Sequence, residues 1–148
     1  MIEVRLTPDA EERYRALDPA QSFIVQAPAG SGKTGLLIQR YLKLLAYVDA
    51  PEEIVAITFT RKAAAEMRAR VLAALGVEQK PIHAETAYEK LNRELSAVVM
   101  QRNQQAGWHI AENPERLRIQ TIDSLCASSV SYTHLRAHET DSYLVCRL

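Results

Sequence analysis

Ala27-Pro28-Ala29-Gly30-Ser31-Gly32-Lys33-Thr34 is the stretch that decides the fold. An apolar run, Phe23-Ile24-Val25, leads into it, and a helical pattern, Leu36 to Ala46, leads out. Strand, Gly-rich loop, Gly-Lys-Thr and helix together describe a phosphate-cradling loop. Gly30 and Gly32 can take backbone angles closed to other residues, so successive N–H groups can turn inward around an anion. The helix that follows begins with unpaired N–H groups and a partial positive charge. Lys33 is placed to reach the β- and γ-phosphates of a nucleotide, and the Thr34 hydroxyl to bind Mg²⁺. Lys33 and Thr34 are thus the expected catalytic residues, and Ala27, Pro28, Ala29, Gly30, Ser31, Gly32, Lys33 and Thr34 the cofactor site. Ala27 stands where the strict pattern has Gly and is small enough to fill that place. The bland alternative is a Gly-rich turn that binds nothing; the flanking strand and helix and the Lys-Thr pair argue against it.

A chain of 148 residues predicts one domain, and 47% hydrophobic residues suffice for a core. The formal net charge is zero, so no global basic field advertises nucleic acid, and polyanion binding must come from local clusters. Two cysteines, Cys126 and Cys146, do not make a disulfide scaffold. The start, Met1-Ile2-Glu3-Val4-Arg5, lacks the apolar core of a signal peptide. No apolar run approaches the ~18 residues a membrane span needs. A soluble, cytoplasmic protein without a membrane partner is expected.

Outward from the loop, Thr7-Pro8-Asp9 predicts a helix start, with the helix running to about Leu17 and broken by Asp18-Pro19. Phe23 to Gln26 predicts a short strand buried on both faces. In the helix after the loop, Leu37, Ile38, Tyr41, Leu44 and Leu45 share one face. Ile54 to Phe59 predicts a second buried strand. Thr60 can cap the next helix, whose inner face is Ala64, Met67, Val71 and Leu75 and whose C-terminal stop is Gly76. Two strands, each followed by a helix, imply right-handed βαβ crossovers and a parallel sheet flanked by helices, an α/β fold. A third helix is predicted from Ala84 to about Asn103, with Tyr88, Leu91, Leu95, Val98 and Val99 on its stripe. Leu117 to Thr121 predicts a third strand, and Asp123 a cap for a short helix through Leu125 and Ala127.

Ligands of such sheets sit beyond the carboxyl ends of the strands. Three segments fall there: the loop, Thr58 to Lys62, and Thr121 to Ser124. Arg61 and Lys62 open a helix, where the helix dipole disfavours cations, so they imply a nearby anion. Phe59 offers a ring for a base to stack on, and Thr58 and Thr60 offer hydroxyls to a phosphate. A solvated first turn and a core Phe are the plainer alternative.

These segments carry a family resemblance. Ala27 to Thr34, then Ile57-Thr58-Phe59-Thr60-Arg61-Lys62-Ala63-Ala64-Ala65-Glu66-Met67, then Gln120-Thr121-Ile122-Asp123-Ser124-Leu125 resemble three ordered motifs of the UvrD/Rep-like superfamily 1 DNA helicases. The Thr-Ile-Asp-Ser form and the long helical insert before it are most similar to the RecB/AddA helicase–nuclease branch. The resemblance covers residues 1 to about 128. It implies a partial RecA-like motor domain, with a helical insert at about 84–113. It also implies ATP and Mg²⁺ as cofactors, single-stranded DNA as partner, a second subunit of a helicase–nuclease complex, and work in DNA repair and recombination. Thr58, Phe59, Thr60, Arg61 and Lys62 match the motif that contacts single-stranded DNA, with Phe59 stacking on a base. Thr121, Asp123 and Ser124 fall in the next DNA-contacting motif. The family's adenine-contacting Gln lies about 21 residues before the loop Lys; that spacing falls on Glu12, followed by Arg13, a departure from the pattern.

Phosphoryl transfer also needs carboxylates on Mg²⁺ and the attacking water, and an arginine worth about 10³–10⁵ in rate. The family takes the acids from a later strand ending in Asp-Glu and the arginines from a second motor domain. No apolar strand ending in paired acids follows Thr121. Negligible ATPase and no unwinding are therefore expected from this polypeptide alone. Ser131 to Thr140 resembles a tail that recurs on unrelated truncated proteins and reads as translated library-adapter DNA. Residues 129–148 are accordingly expected to be extraneous and unstructured. His134 and His138 form a zinc-like half-site, but Cys126 and Cys146, eight residues to either side, fit no common finger. Cys126 is expected buried, His83 and His109 on surface loops, and Trp108 in packing rather than base stacking. Two other function classes stay open. One is a P-loop nucleotide kinase using Arg61 and Lys62 on a second phosphate substrate. The other is an inactive truncated fragment.

Overall fold

The structure, a computed structural model, describes residues 10–76, 87–135 and 144–147. In chain order it contains α1 (Ala10–Arg15), α2 (Lys33–Leu45), β1 (Ile54–Thr58), α3 (Arg61–Ala74), α4 (Ala87–Gln105), β2 (Arg118–Thr121), α5 (Ile122–Leu135) and β3 (Leu144–Arg147). Single 3₁₀ turns at Pro51–Glu53 and Pro114–Arg116 lead into β1 and β2. The sheet order is β2-β1-β3 and both pairings are parallel, as the alternation of strands and helices requires. Ala56 faces Ile119 in register, and Thr58 faces Thr121.

Local signals explain most elements. The Thr60 hydroxyl accepts the Ala63 amide at 3.1 Å and starts α3. Gly76 ends that helix at φ 75°, its amide bonded to the Ala73 carbonyl. Ala64, Met67, Val71 and Leu75 are all buried, as their spacing predicts. On α2, Ile38, Tyr41, Leu44 and Leu45 are buried and Leu37 packs at the edge of the same core. On α4, Leu95 and Val99 are buried, whereas Val98 and Tyr88 are substantially exposed.

Helix α4 and the segment that follows it are part of the core rather than an appendage. Val99, Trp108 and Ile110 share one buried cluster with Ile54, Ile119 and Leu42. The Trp108 indole donates to the Asp49 carbonyl at 3.1 Å, so a large apolar ring is buried with its polar edge satisfied. Arg102 donates to the Val48 carbonyl at 2.7 and 3.1 Å, and Ser96 Oγ to the Ala74 carbonyl at 2.6 Å. Arg116 grips Glu52 with two bonds, at 2.5 and 3.2 Å, and donates to the Trp108 carbonyl at 2.7 Å. Burial pushes the Glu52 carboxyl up, but the Arg116 bonds and charge, with a backbone hydrogen bond, hold it below its ordinary value.

Three expectations are corrected. Phe23–Gln26 is not a strand: residues 23–27 carry no ladder, and Ile24 is 98% exposed. A strand needs a neighbour, and this segment pairs with none of the three strands of the β2-β1-β3 sheet. The region from 129 onward is not unstructured where it is described. Helix α5 continues to Leu135, and Leu144–Arg147 pairs with Ile54–Ile57. An open β1 edge presents unpaired N–H and C=O groups, and a β-prone segment satisfies them. Finally, Cys126 is exposed on α5. The proposed helix start at Thr7-Pro8-Asp9, residues 84–86, His83 and His138 lie outside the described residues.

Candidate nucleotide and nucleic-acid site

The Gly-rich loop has the backbone its sequence calls for. Gly30 and Gly32 lie at φ 77° and 80°, in the left-handed region that favours glycine. Gly32 is the residue before α2, and no side chain caps that helix. Its first N–H groups therefore remain available to an anion. The Ser31 amide bonds the Pro28 carbonyl at 3.4 Å, closing the turn. Ser31 Oγ is buried with no hydrogen-bond partner, an orphan that a bound polar group can satisfy. The Lys33 ammonium folds back on the loop, donating to the carbonyls of Ala27 and, at 3.2 Å, Pro28. Thr34 is exposed at the first turn of α2.

A cavity of 280 Å³ opens beside the loop, lined among others by Glu12, Arg13, Phe23, Ala27, Ser31 and Lys33. Two features here carry no motif signal in the sequence. Arg13 donates to the Ser31 carbonyl at 2.5 Å. The Tyr88 ring, from the start of α4, lies against Gly35 so closely that a Cβ there would meet Tyr88 Cε2 at 2.9 Å. Glu12 lines the cavity and pairs with Arg15 at 3.5 Å. Arg40 ties α2 to the segment before the loop through the carbonyls of Ala16, Asp18 and Gln21, at 2.6–3.1 Å, and lies over the Phe23 ring.

The other two expected segments meet at the carboxyl end of the sheet. Register pairs Thr58 with Thr121 directly. Phe59 is 85% exposed at the tip of β1, so the core alternative for this ring does not hold. Thr60, Arg61 and Lys62 follow, all exposed, and α3 has no acid in its first turn to neutralise the two cations. Thr121 Oγ1 accepts the Ser124 amide at 3.2 Å and lies 2.9 Å from Ser124 Oγ. Thr121 therefore starts α5, and the expected cap, Asp123, is exposed instead. The geometry favours Thr121 because an N-cap oxygen serves the amide three residues on. Trp108 is buried and His109 exposed, as expected. Among the described residues no group of three metal-ligating side chains occurs, and no helix is long and apolar enough to cross a membrane.

The description "UvrD/REP helicase N-terminal domain" matches residues 6–145. The chain belongs to this helicase family. Its similarity to DNA helicase II of Escherichia coli (strain K12) is 34% identity over 110 residues, 74% of this chain and 15% of that protein. An ATP-dependent helicase/nuclease subunit of Clostridium novyi (strain NT) is 30% identical over 134 residues, 88% of this chain and 9% of that protein. The ATP-dependent DNA helicase PcrA of Staphylococcus epidermidis is 41% identical over 86 residues, 55% of this chain and 12% of that protein. The UvrD/REP chain thus spans a small part of the length of the curated relatives it matches. No solved structure matches it.

Proposed function

We propose that this chain is the ATP-binding N-terminal part of an ATP-dependent DNA helicase that translocates on single-stranded DNA and unwinds duplex. The observation that carries the reading is the loop: two left-handed glycines, a lysine on loop carbonyls and an orphaned Ser31 hydroxyl, at the uncapped start of α2. Residues Ala27 to Thr34 hold the triphosphate, Lys33 on its β- and γ-oxygens and Thr34 on the accompanying Mg²⁺. Bound Mg·ATP supplies a phosphoanhydride whose cleavage drives motion of the complete motor. The chain's own residues bind and orient it. Thr58, Phe59, Thr60, Arg61, Lys62, Thr121, Asp123 and Ser124 form the single-strand contact, with Phe59 as the stacking ring. The helicase/nuclease relatives, named as subunits, support a partner chain in the complete assembly. Turnover by the 148-residue chain alone is negligible, since no apolar run ending in paired acids follows Thr121 in it.

Titration with a fluorescent ATP analogue tests the loop. Lys33→Ala removes a charge-assisted contact worth about 1.5–3 kcal/mol, roughly a ten- to hundredfold loss of affinity. Unchanged affinity refutes the phosphate-loop role. A nucleotide kinase would bind the same analogue but ignore single-stranded DNA.

A further inference from the structure

We propose that Arg13 is a positioning residue of the phosphate loop, holding the Ser31–Gly32 peptide so that the Gly32 N–H faces the nucleotide. The proposal rests on the ATP reading above. Arg13 comes from α1, eighteen positions before the loop residue it holds. Its NH2 donates to the Ser31 carbonyl at 2.5 Å. A Cβ on Gly32 would lie 3.5 Å from its NH1 and 3.7 Å from its NH2, so both terminal nitrogens of the guanidinium lie close to this peptide. In a planar trans peptide the C=O of one residue and the N–H of the next point in opposite directions. Fixing the Ser31 oxygen against Arg13 therefore fixes the Gly32 N–H on the opposite side. Gly32, at φ 80°, is then the pivot from which the α2 amides begin.

The two cations of the loop divide the work. Lys33 satisfies the Ala27 and Pro28 carbonyls. A phosphate draws the ammonium away from them, because its donors are then shared with the stronger, charged acceptor. Arg13 has no need to move. A guanidinium is a planar, always-charged fork that loses little freedom per bond, which suits a fixed strut better than a flexible ammonium. With Arg13 in place, the loop keeps its shape while Lys33 changes partners.

The test uses the full chain, a fluorescent ATP analogue, and the amide spectrum of ¹⁵N-labelled protein without nucleotide. Arg13→Ala is expected to weaken analogue binding about tenfold, the size of one lost hydrogen bond to a charged group. It should shift or broaden the Gly32 amide resonance while the α3 resonances stay in place. Arg13→Lys, which keeps a donor and the charge but loses the planar fork, should restore the affinity only in part. Arg13→Gln carries the test if the alanine variant fails to fold. An Arg13→Ala protein with wild-type affinity and an unmoved Gly32 amide overturns the proposal, and leaves the ATP reading standing if Lys33→Ala loses affinity in the same assay. Absence of binding by the wild-type chain overturns the ATP reading itself.

Discussion

Phe59→Ala separates a DNA contact from a structural one. The ring is 85% exposed at the end of β1 and belongs to neither buried cluster. Its removal should therefore change folding stability by no more than about 0.5 kcal/mol, the usual range for surface substitutions. The same truncation removes a stacking platform worth about 1–3 kcal/mol per base, so affinity for a single strand should fall roughly five- to 150-fold. The assay is fluorescence anisotropy of a labelled oligothymidylate at low salt, with a thermal melt run beside it. Arg61→Gln provides the contrast. It should weaken binding by charge and flatten the salt dependence by about 0.7 per phosphate contact, whereas Phe59→Ala should leave that slope unchanged. Equal DNA binding by wild type and Phe59→Ala refutes the stacking role. A collapsed melting temperature for Phe59→Ala refutes the claim that the ring is free of the core.

Two further predictions concern the scaffold. Arg116 holds the Glu52 carboxyl below its ordinary value; a group so depressed stabilises the fold above its unfolded pKa, about 4.3 for Glu, and the contribution is lost as pH falls through the folded value. The melting-temperature gap between wild type and Glu52→Gln should thus be constant at neutral pH and close in acid, and should stay small because the pair is partly exposed and worth no more than about 1 kcal/mol; a gap that widens in acid contradicts the assignment. Deleting residues 136–148 removes β3 and bares one edge of β1. Light scattering should then show concentration-dependent association, and a truncated chain that stays monomeric at high concentration argues that the edge is protected in another way.

Much of the loop was legible because its signals are local. Gly30 and Gly32 announce left-handed backbone, and Thr60 and Gly76 the two ends of α3. Each acts over three or four residues, within the reach of a sequence pattern. The three-motif order led to the helicase family that the match over residues 6–145 shows. The errors share a different cause. Phe23–Gln26 has strand composition, and Leu144–Arg147 looked structureless, yet the second pairs with β1 and the first does not. Asp123 and Thr121 are both good caps in isolation, and only the chain's path out of β2 selects Thr121.

The sequence by itself determined the parallel α/β class, the left-handed turns of the Gly-rich loop and the Thr60 cap of α3, since period, φ preference and capping are properties of neighbouring residues. Only the tertiary structure decided that Thr58 stands beside Thr121, that Tyr88 covers Gly35, and that Arg13 holds the loop. Those contacts depend on which elements share an edge or a face, and hydrogen bonds between distant segments form wherever the packed backbone leaves a donor opposite an acceptor.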